Sequence, residues 1–341
     1  MRSEGALILG IETSCDETAA AVTAGGRTVL SNVIASQIDV HKVFGGVVPE
    51  IASRHHLEAV NGIVSEALAQ AGVGWDDLDA IAVTKGPGLV GAVLIGLATA
   101  KGLAFALGKP LVGVHHIRAH ICAAYLEHEQ LAPPFLALVV SGGHTSLVEV
   151  TAGAAGTQVR LLGATRDDAV GEAYDKVARV LGLGYPGGPE IDTLAKRGDP
   201  AAVSFKRTLL EDGSLDFSFS GIKTGVMNYV HTQKQADKPF HAADVAASFQ
   251  QAVIDVLSEK TRLALEQTGH RRLVLCGGVA ANSALRARMQ KDCDGRDVTL
   301  FVPSPVYCTD NAAMVACAGY EAFQNGDFDN LELDAYAQLA L

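Results

Sequence analysis

Two stretches of this chain, roughly a third of its length apart, share one layout: a short apolar run, a polar turn, and a second apolar run. The first runs Leu7-Ile8-Leu9-Gly10-Ile11-Glu12, then Thr13-Ser14-Cys15-Asp16-Glu17-Thr18, then Ala19-Ala20-Ala21-Val22. The second runs Leu136-Ala137-Leu138-Val139-Val140, then Ser141-Gly142-Gly143-His144-Thr145, then Ser146-Leu147-Val148. Each pattern predicts strand, turn, strand. Backbone N–H groups in such turns form concavities for anions, and small side chains let a phosphate come close. A unit that occurs twice constrains the chain to a duplicated architecture. Two such turns facing each other would clamp a phosphoanhydride or acyl phosphate.

The elements after each unit repeat as well. After the first come a strand at 27–36, a helix from about 50 to 71 and a strand at 79–84. The turn Lys85-Gly86-Pro87-Gly88 then leads to a small-residue helix ending near 107, the strand Leu111–Val114 and a helix starting near His116. From 134 a strand meander runs to about 162, and a helix at 170–181 ends in the loop Gly182–Pro189, rich in glycine and proline. Residues 195–245 are more polar and read as a helical insertion. A helix at 243–268, the strand Leu273–Cys276, a helix from about 281, the strand Thr299–Val302 and a helix from near Asp310 complete the chain. This is the pattern of an α/β protein with two similar lobes and a ligand-binding cleft between them. A chain of 341 residues, 48% of them hydrophobic, has enough material for two cores.

Several function classes are disfavoured. The longest apolar stretch, Gly88 to Ala100, stops at Lys101 and reads as too short and glycine-rich to span a bilayer. The N-terminus enters the first strand without a leader-like segment, so the expected location is cytoplasmic, with no membrane partner. Six cysteines without a CxxC pair argue against a disulfide framework, and only Cys15 falls in a polar turn. A net charge of −11 opposes nucleic-acid binding by the chain as a whole. Action on RNA would need a local basic patch, to which Arg160, Arg166, Lys176 and Arg179 could contribute, or a basic partner.

Two further constellations carry chemistry. In Leu273-Val274-Leu275-Cys276-Gly277-Gly278-Val279-Ala280-Ala281-Asn282, an apolar strand ends in Gly-Gly ahead of a helix. The glycines would let a base or ribose approach the backbone, and Asn282 offers a donor and an acceptor; an ordinary strand-to-helix turn has the same pattern. In His115-His116-Ile117-Arg118-Ala119-His120, His116 and His120 share one helical face, which suits two imidazoles on one ion. Asp310 is an attractive third ligand, although Asp310 or Thr309 could equally cap the next helix. A zinc peptidase of the HExxH type needs a glutamate directly after the first histidine, and this chain has Ile117 there.

Together with Phe44-Gly45-Gly46-Val47-Val48-Pro49-Glu50, Gly86-Pro87-Gly88-Leu89, Gly171-Glu172-Ala173-Tyr174-Asp175-Lys176, Tyr185-Pro186-Gly187-Gly188-Pro189 and Ser218-Phe219-Ser220-Gly221-Ile222-Lys223-Thr224, these motifs span nearly the whole chain. In this order they resemble the bacterial tRNA adenosine threonylcarbamoyltransferases, once described as O-sialoglycoprotein endopeptidases. Ala92, where serine is common, and Ser146, where glutamine is common, are peripheral departures.

The resemblance implies an α/β fold of the actin/Hsp70/sugar-kinase type. Its N-terminal lobe would span 1–131, joined by about 324–341, and its second lobe 132–323, with the insertion at about 195–245. It implies one divalent metal, iron or zinc, on His116, His120 and Asp310. It implies threonylcarbamoyl-adenylate on Val139, Val140, Ser141, Gly142, Gly143, Asp175, Gly188 and Asn282, with Asp192 as a further contact. The expected reaction passes the threonylcarbamoyl group to the exocyclic amine of adenosine 37 of a tRNA and releases AMP. Glu12, Asp16 and His144 are the candidates for the catalytic base. The expected partners are tRNA, a paralogous scaffold protein and a small ATPase. An ATP-dependent small-molecule kinase or ATPase of the same superfold is the alternative, followed by a non-catalytic nucleotide switch, with a metallopeptidase least favoured.

Overall fold

Leu7–Glu12 (β1) is apolar to its last residue and buried along nearly all of its length, as a strand covered on both faces must be. A computed structural model describes residues 5–153, 156–208 and 213–341. In it β1 lies at the middle of a five-stranded sheet with Glu17–Ala24 (β2), Thr28–Ser36 (β3), Ala80–Gly86 (β4) and Leu111–His115 (β5), in the order β3-β2-β1-β4-β5. β2 runs antiparallel to β1, with Glu12 opposite Ala19, and β4 runs parallel to it, with Ile11 beside Val83. The helices of this segment are Ile38–Lys42 (α1), Pro49–Ala71 (α2), Val90–Leu107 (α3) and His116–Cys122 (α4).

The second half repeats the plan. Phe135–Val140 (β6), Thr145–Gly153 (β7), Gly156–Ala164 (β8), Arg272–Cys276 (β9) and Thr299–Phe301 (β10) form a sheet in the order β10-β9-β6-β7-β8. β6 takes the central place of β1, pairing antiparallel with β7 and parallel with β9. Its helices are Val170–Val180 (α5), Gly187–Ala195 (α6), Ser220–Gln235 (α7), Ala242–Thr268 (α8) and Ser283–Asp294 (α9). The chain closes with Pro305–Cys308 (α10) and Ala312–Asn325 (α11).

Two compact units result: residues 1–131, 152–157 and 303–341, and residues 132–151 and 158–302. The C-terminal return is longer than the segment of about 324–341 expected from sequence, and packing explains the difference. Alternate residues of β1 face opposite ways. Leu9 and Ile11 pack with Val60 and Val64 of α2 and Leu97 of α3, while Ile8 packs with Ala82, Val112 and Met314 of α11. A β-carbon on Gly10 would strike the Ala312 carbonyl and Ala316, so glycine there lets α11 lie directly on the sheet. Without α11 the first unit would lack one of its two helical layers.

Two smaller expectations also change. The loop predicted over Gly182–Pro189 already contains the first turn of α6, which begins at Gly187. The apolar stretch expected to stop at Lys101 runs on as α3, which at 18 residues is long and apolar enough to cross a membrane by length and composition alone. Lys101 is a good helix former and does not end it; Gly108, in the left-handed region at φ 62°, does. α3 buries Val93, Gly96 and Leu97 and exposes Val90, Leu94 and Phe105.

The start of α7 depends on one side chain. Asp167 accepts four hydrogen bonds, from the amides of Phe219 (2.8 Å) and Ser220 (3.3 Å) and from the hydroxyls of Ser218 (2.5 Å) and Ser220 (2.6 Å). Burial works against its charge, but these donors outweigh it and hold the carboxyl below the usual aspartate range. A depressed carboxylate contributes stability that is fully present above the unfolded-state value and lost as pH falls through the folded one. Asp167→Ala is therefore expected to cost about 1–2 kcal/mol at pH 7, at the modest end because the side chain is partly in water. Urea midpoints at pH 7 and pH 3 check this: the gap between wild type and variant should narrow in acid, and an equal gap at both would refute it.

Candidate functional site

In the first unit β1 ends at Glu12 and β4 carries Thr84 at the adjacent register, while α4 starts directly after β5. These strand ends bring Glu12, Thr84 and His116 together. Glu12 is wholly buried, and its oxygens accept from the Ser14 amide (2.5 Å) and the Thr84 hydroxyl (2.6 Å). Its Oε2 also lies 3.0 Å from His116 Nδ1, and the Ser14 hydroxyl is 3.2 Å from the same nitrogen. Burial opposes the charge on Glu12, but His116 and Thr84 outweigh it and hold the carboxyl low. The other ring nitrogen of His116, Nε2, faces Asp310 Oδ1 at 3.6 Å.

His120, one helical turn further along α4, is fully buried, with its ring 4.6 Å from that of His116 and edge-on to it. Its Nε2 lies 3.1 Å from Asp310 Oδ1. Contact geometry falls short of a hydrogen bond, and neither ring nitrogen has a hydrogen-bond partner among the described residues. Orphaned polar atoms in a wholly buried ring are costly. Asp310 is not the helix cap: Asn311 caps α11, its side-chain oxygen accepting from the Met314 amide at 3.0 Å. One ligand atom from each of His116, His120 and Asp310 lies within 4.8 Å of the other two.

Imidazole nitrogens and carboxylate oxygens bind zinc at about 2.0–2.2 Å, so this triad fits a divalent ion. Burial alone would lower the His116 pKa; the Asp310 and Glu12 charges overcome it and hold the value up at about 9. An ion held on His116 Nε2 would replace a proton on that nitrogen, so its binding would compete with protonation.

The turn after β1 is acidic and shielded. Asp16 is largely buried, and its carbonyl accepts from the Gln37 amide at 3.0 Å. Burial, then the charges of Asp16 and Asp310, push Glu17 up to about 10, so it is a neutral acid. The same three influences raise the Cys15 thiol well above its ordinary value, so Cys15, the one cysteine of the six that is not buried, is held as a thiol.

The residues expected to hold the donor all lie in the second unit, linked by a closed circuit of contacts. At the end of β6, Ser141 donates its amide to the His144 carbonyl, and its hydroxyl accepts from the His144 amide at 3.1 Å. The start of α5 docks on this turn, with Gly171 N–H bonded to Ser141 O and Glu172 N–H to Gly142 O. Asp175, further along α5, accepts from the Gly187 amide at 2.7 Å and so fixes the N-terminus of α6 beside Gly188. From α6, Asp192 accepts from the Ser283 hydroxyl (2.8 Å) and from Gln250 Nε2 (3.3 Å). Asn282 Nδ2 donates to Gln250 Oε1 at 2.7 Å. Gly277, at φ 91°, closes the circuit, since a β-carbon there would strike the Val140 backbone. The circuit lies at the carboxyl ends of β6 and β9, where α/β sheets hold ligands.

Three details depart from the sequence analysis. The Asn282 side chain does not simply point its donor and acceptor at a ligand: its oxygen caps α9 at the Leu285 amide (2.9 Å), and its nitrogen binds Gln250. The basic cluster is largely neutralised. Arg160 pairs with Glu149, Arg166 with Asp216, and Lys176 with Asp168 and Glu172, all within 2.9 Å. Thr84 and Gln250, which bond Glu12 and the Asp192–Asn282 pair, are side chains that the motifs do not single out. No local signal marks Thr84, which follows the Val83 that pairs with Ile11, whereas Gln250 is a polar residue on the stripe that also holds Ala246, Val253 and Ile254.

The sequence profile of the tRNA N6-adenosine threonylcarbamoyltransferases matches residues 28–317. The chain belongs to that family. Curated relatives named tRNA N6-adenosine threonylcarbamoyltransferase include one from Clostridium beijerinckii, 54% identical over 335 residues, covering 98% of each chain. Another, from Moorella thermoacetica, is 56% identical over 334 residues, covering 98% of this chain and 97% of its own. Among solved structures, component A of the Acidaminococcus fermentans (R)-2-hydroxyglutaryl-CoA dehydratase shares the fold with a TM-score of 0.54 at 15% identity, covering 94% of this chain and 98% of that one. HypF from T. kodakarensis does so with a TM-score of 0.62 at 14% identity, and this chain spans 49% of its length. Those two likenesses establish the family's α/β fold of duplicated, actin-like topology and nothing more.

Proposed function

We propose that this chain transfers the threonylcarbamoyl group from threonylcarbamoyl-adenylate to the exocyclic amine of adenosine 37 in tRNA. The amine nitrogen forms a bond to the carbamoyl carbon, the bond from that carbon to the phosphate oxygen breaks, AMP leaves with the electron pair, and the amine gives up a proton. In a chain alike end to end to this family, the observation that carries the proposal is the buried, unpartnered His120 beside Asp310 and His116.

His116, His120 and Asp310 would hold one divalent metal, and a histidine-containing set suits iron or zinc better than magnesium. When bound, such an ion supplies Lewis acidity toward donor oxygens. The circuit of the second unit would bind the adenylate. Its exposed Gly142 and Gly143 would lie against the phosphate, and the Gly277–Asn282 turn against the adenosine. An aromatic amine is a weak nucleophile, so positioning by these turns supplies much of the rate.

Of the three base candidates, Glu12 orients His116 and stabilises its protonated or metal-bound form, leaving Asp16 and His144 to receive the proton. Glu12→Gln should weaken metal binding by about 10–100-fold, the usual effect of losing a carboxylate behind a ligating histidine. Chelator competition measures it, and undiminished affinity would remove that role.

The local acid partners of Arg160, Arg166 and Lys176, with a net charge of −11, support reliance on partners for tRNA binding. The proposed partners are a paralogous scaffold protein and a small ATPase, in the cytoplasm. Exposed Val90, Leu94 and Phe105 on α3 suit contact with a protein. The deciding experiment incubates the chain with tRNA, threonine, bicarbonate, ATP, the adenylate-forming enzyme and those partners. Mass spectrometry of the tRNA nucleosides should then find threonylcarbamoyladenosine. ATP turnover without tRNA and without modified nucleoside would favour the kinase or ATPase alternative instead.

A further inference from the structure

Gln250 lies in the first third of α8, the helix packed against α6 and in contact with α9, and is only 5% exposed. Both ends of its amide are used, and the partners set their polarity. Asp192 Oδ1, 3.3 Å away, is a carboxylate oxygen that can only accept, so the Gln250 NH2 must point toward it. The Gln250 oxygen then faces Asn282, so Asn282 must present its own NH2, at 2.7 Å. That leaves the Asn282 oxygen to accept from the Leu285 amide at the start of α9, at 2.9 Å. One carboxylate on α6 thereby fixes the orientation of two amides and the cap of α9. The carboxylate is itself anchored, since the Ser283 hydroxyl donates to both of its oxygens, at 3.0 and 2.8 Å.

Asp192 sits on the helix that begins at Gly187 and Gly188, and Asn282 ends the turn that begins at Gly277. Gln250 links the Asp192 and Asn282 side chains, beside the direct bond from Ser283 to Asp192. Resting on the donor-site reading of the second unit, we propose that Gln250 is a positioning residue, holding the α6 N-terminus and the Gly277–Asn282 turn in register for the adenylate moiety of the donor. It acts through Asp192 and Asn282. A buried amide bonded at both ends gives the relay one low-energy arrangement, whereas an apolar side chain in its place would leave the Asn282 NH2 without its acceptor and Asp192 without that donor.

The test uses the whole chain and AMP as probe, with affinity from calorimetry and folding from thermal melts. Gln250→Glu sets a carboxylate against Asp192 and should weaken AMP binding about tenfold, a coupling typical of residues in one polar network. Adding Asp192→Asn restores a donor–acceptor pair, because the new amide can donate to the glutamate while the glutamate still accepts from Asn282. Measured against Asp192→Asn alone, the double variant should lose little further affinity, so the two losses are not additive. A merely structural role would leave AMP affinity unmoved in every variant that still melts cooperatively. Wild-type affinity in folded Gln250→Glu, or losses that simply add in the double variant, overturns the inference. Gly143→Val separates the two levels. If it abolishes AMP binding while Gln250→Glu does not affect it, only the positioning role fails. If it leaves binding unchanged, the donor-site reading fails and the inference goes with it.

Discussion

Replacing both His116 and His120 with alanine should strip bound iron or zinc from the protein while leaving it folded. Two of the three ligands vanish, and Asp310 alone offers a single carboxylate near a half-buried surface, a poor site for either ion. The expected fall in affinity exceeds about a hundredfold, beyond the range seen when only a supporting residue is lost. The stability cost is smaller. The His120 ring is fully buried, so its removal leaves a void, but it also removes ring nitrogens that lack hydrogen-bond partners among the described residues. These effects oppose each other, and a net change of about 1–2 kcal/mol is expected. Elemental analysis after loading with ferrous iron or zinc reads occupancy, and circular dichroism reads folding. A folded double variant with one ion per chain would rule the site out.

Gly143→Val is expected to abolish adenylate binding at almost no cost to the fold. A β-carbon at Gly143 meets nothing within 4 Å, and the residue is exposed. Gly277 differs: its positive φ and its contact with the Val140 backbone mean that any side chain there damages the turn itself. The Gly143 variant therefore separates ligand exclusion from misfolding. If the phosphate lies against this turn, a branched side chain occupies its place, and affinity for AMP should fall by about a hundredfold or more, the equivalent of about 2.7 kcal/mol. Calorimetry against AMP, beside a melt within about a degree of wild type, checks both halves. Unchanged affinity would place the ligand elsewhere.

Much of this was legible in the sequence, for local reasons. Apolar runs such as 136–140 and 273–276 have few alternatives to a buried strand, and the spacing of His116 and His120 forces them onto one side of any helix. The long-range relations were not legible. Nothing near Glu12 announces that its acceptors meet Thr84 and His116, because that depends on the register between β1 and β4 and on where β5 ends. Asn282 looked like a ligand contact because its residue type suits one, and only its neighbours reveal that both functional groups are engaged. Arg166 could contribute to a basic patch on sequence grounds because its partner Asp216 lies far along the chain, whereas the acids that pair with Lys176, Asp168 and Glu172, stand close by in sequence.

The return of α11 to the first sheet also orders events during synthesis. Residues 132–302 form a nearly continuous unit, whereas the first unit needs residues 303–341 before its sheet is covered and before Asp310 can join the histidines. On the ribosome the later-encoded unit can therefore complete itself first, while the earlier one waits with Ile8, Ala82 and Val112 lacking their cover. A nascent chain halted before 303 carries a finished half and an unfinished one. His116, His120 and Asp310 can come together only after residue 310 has been made, so any ion they hold would be bound long after the two histidines have emerged.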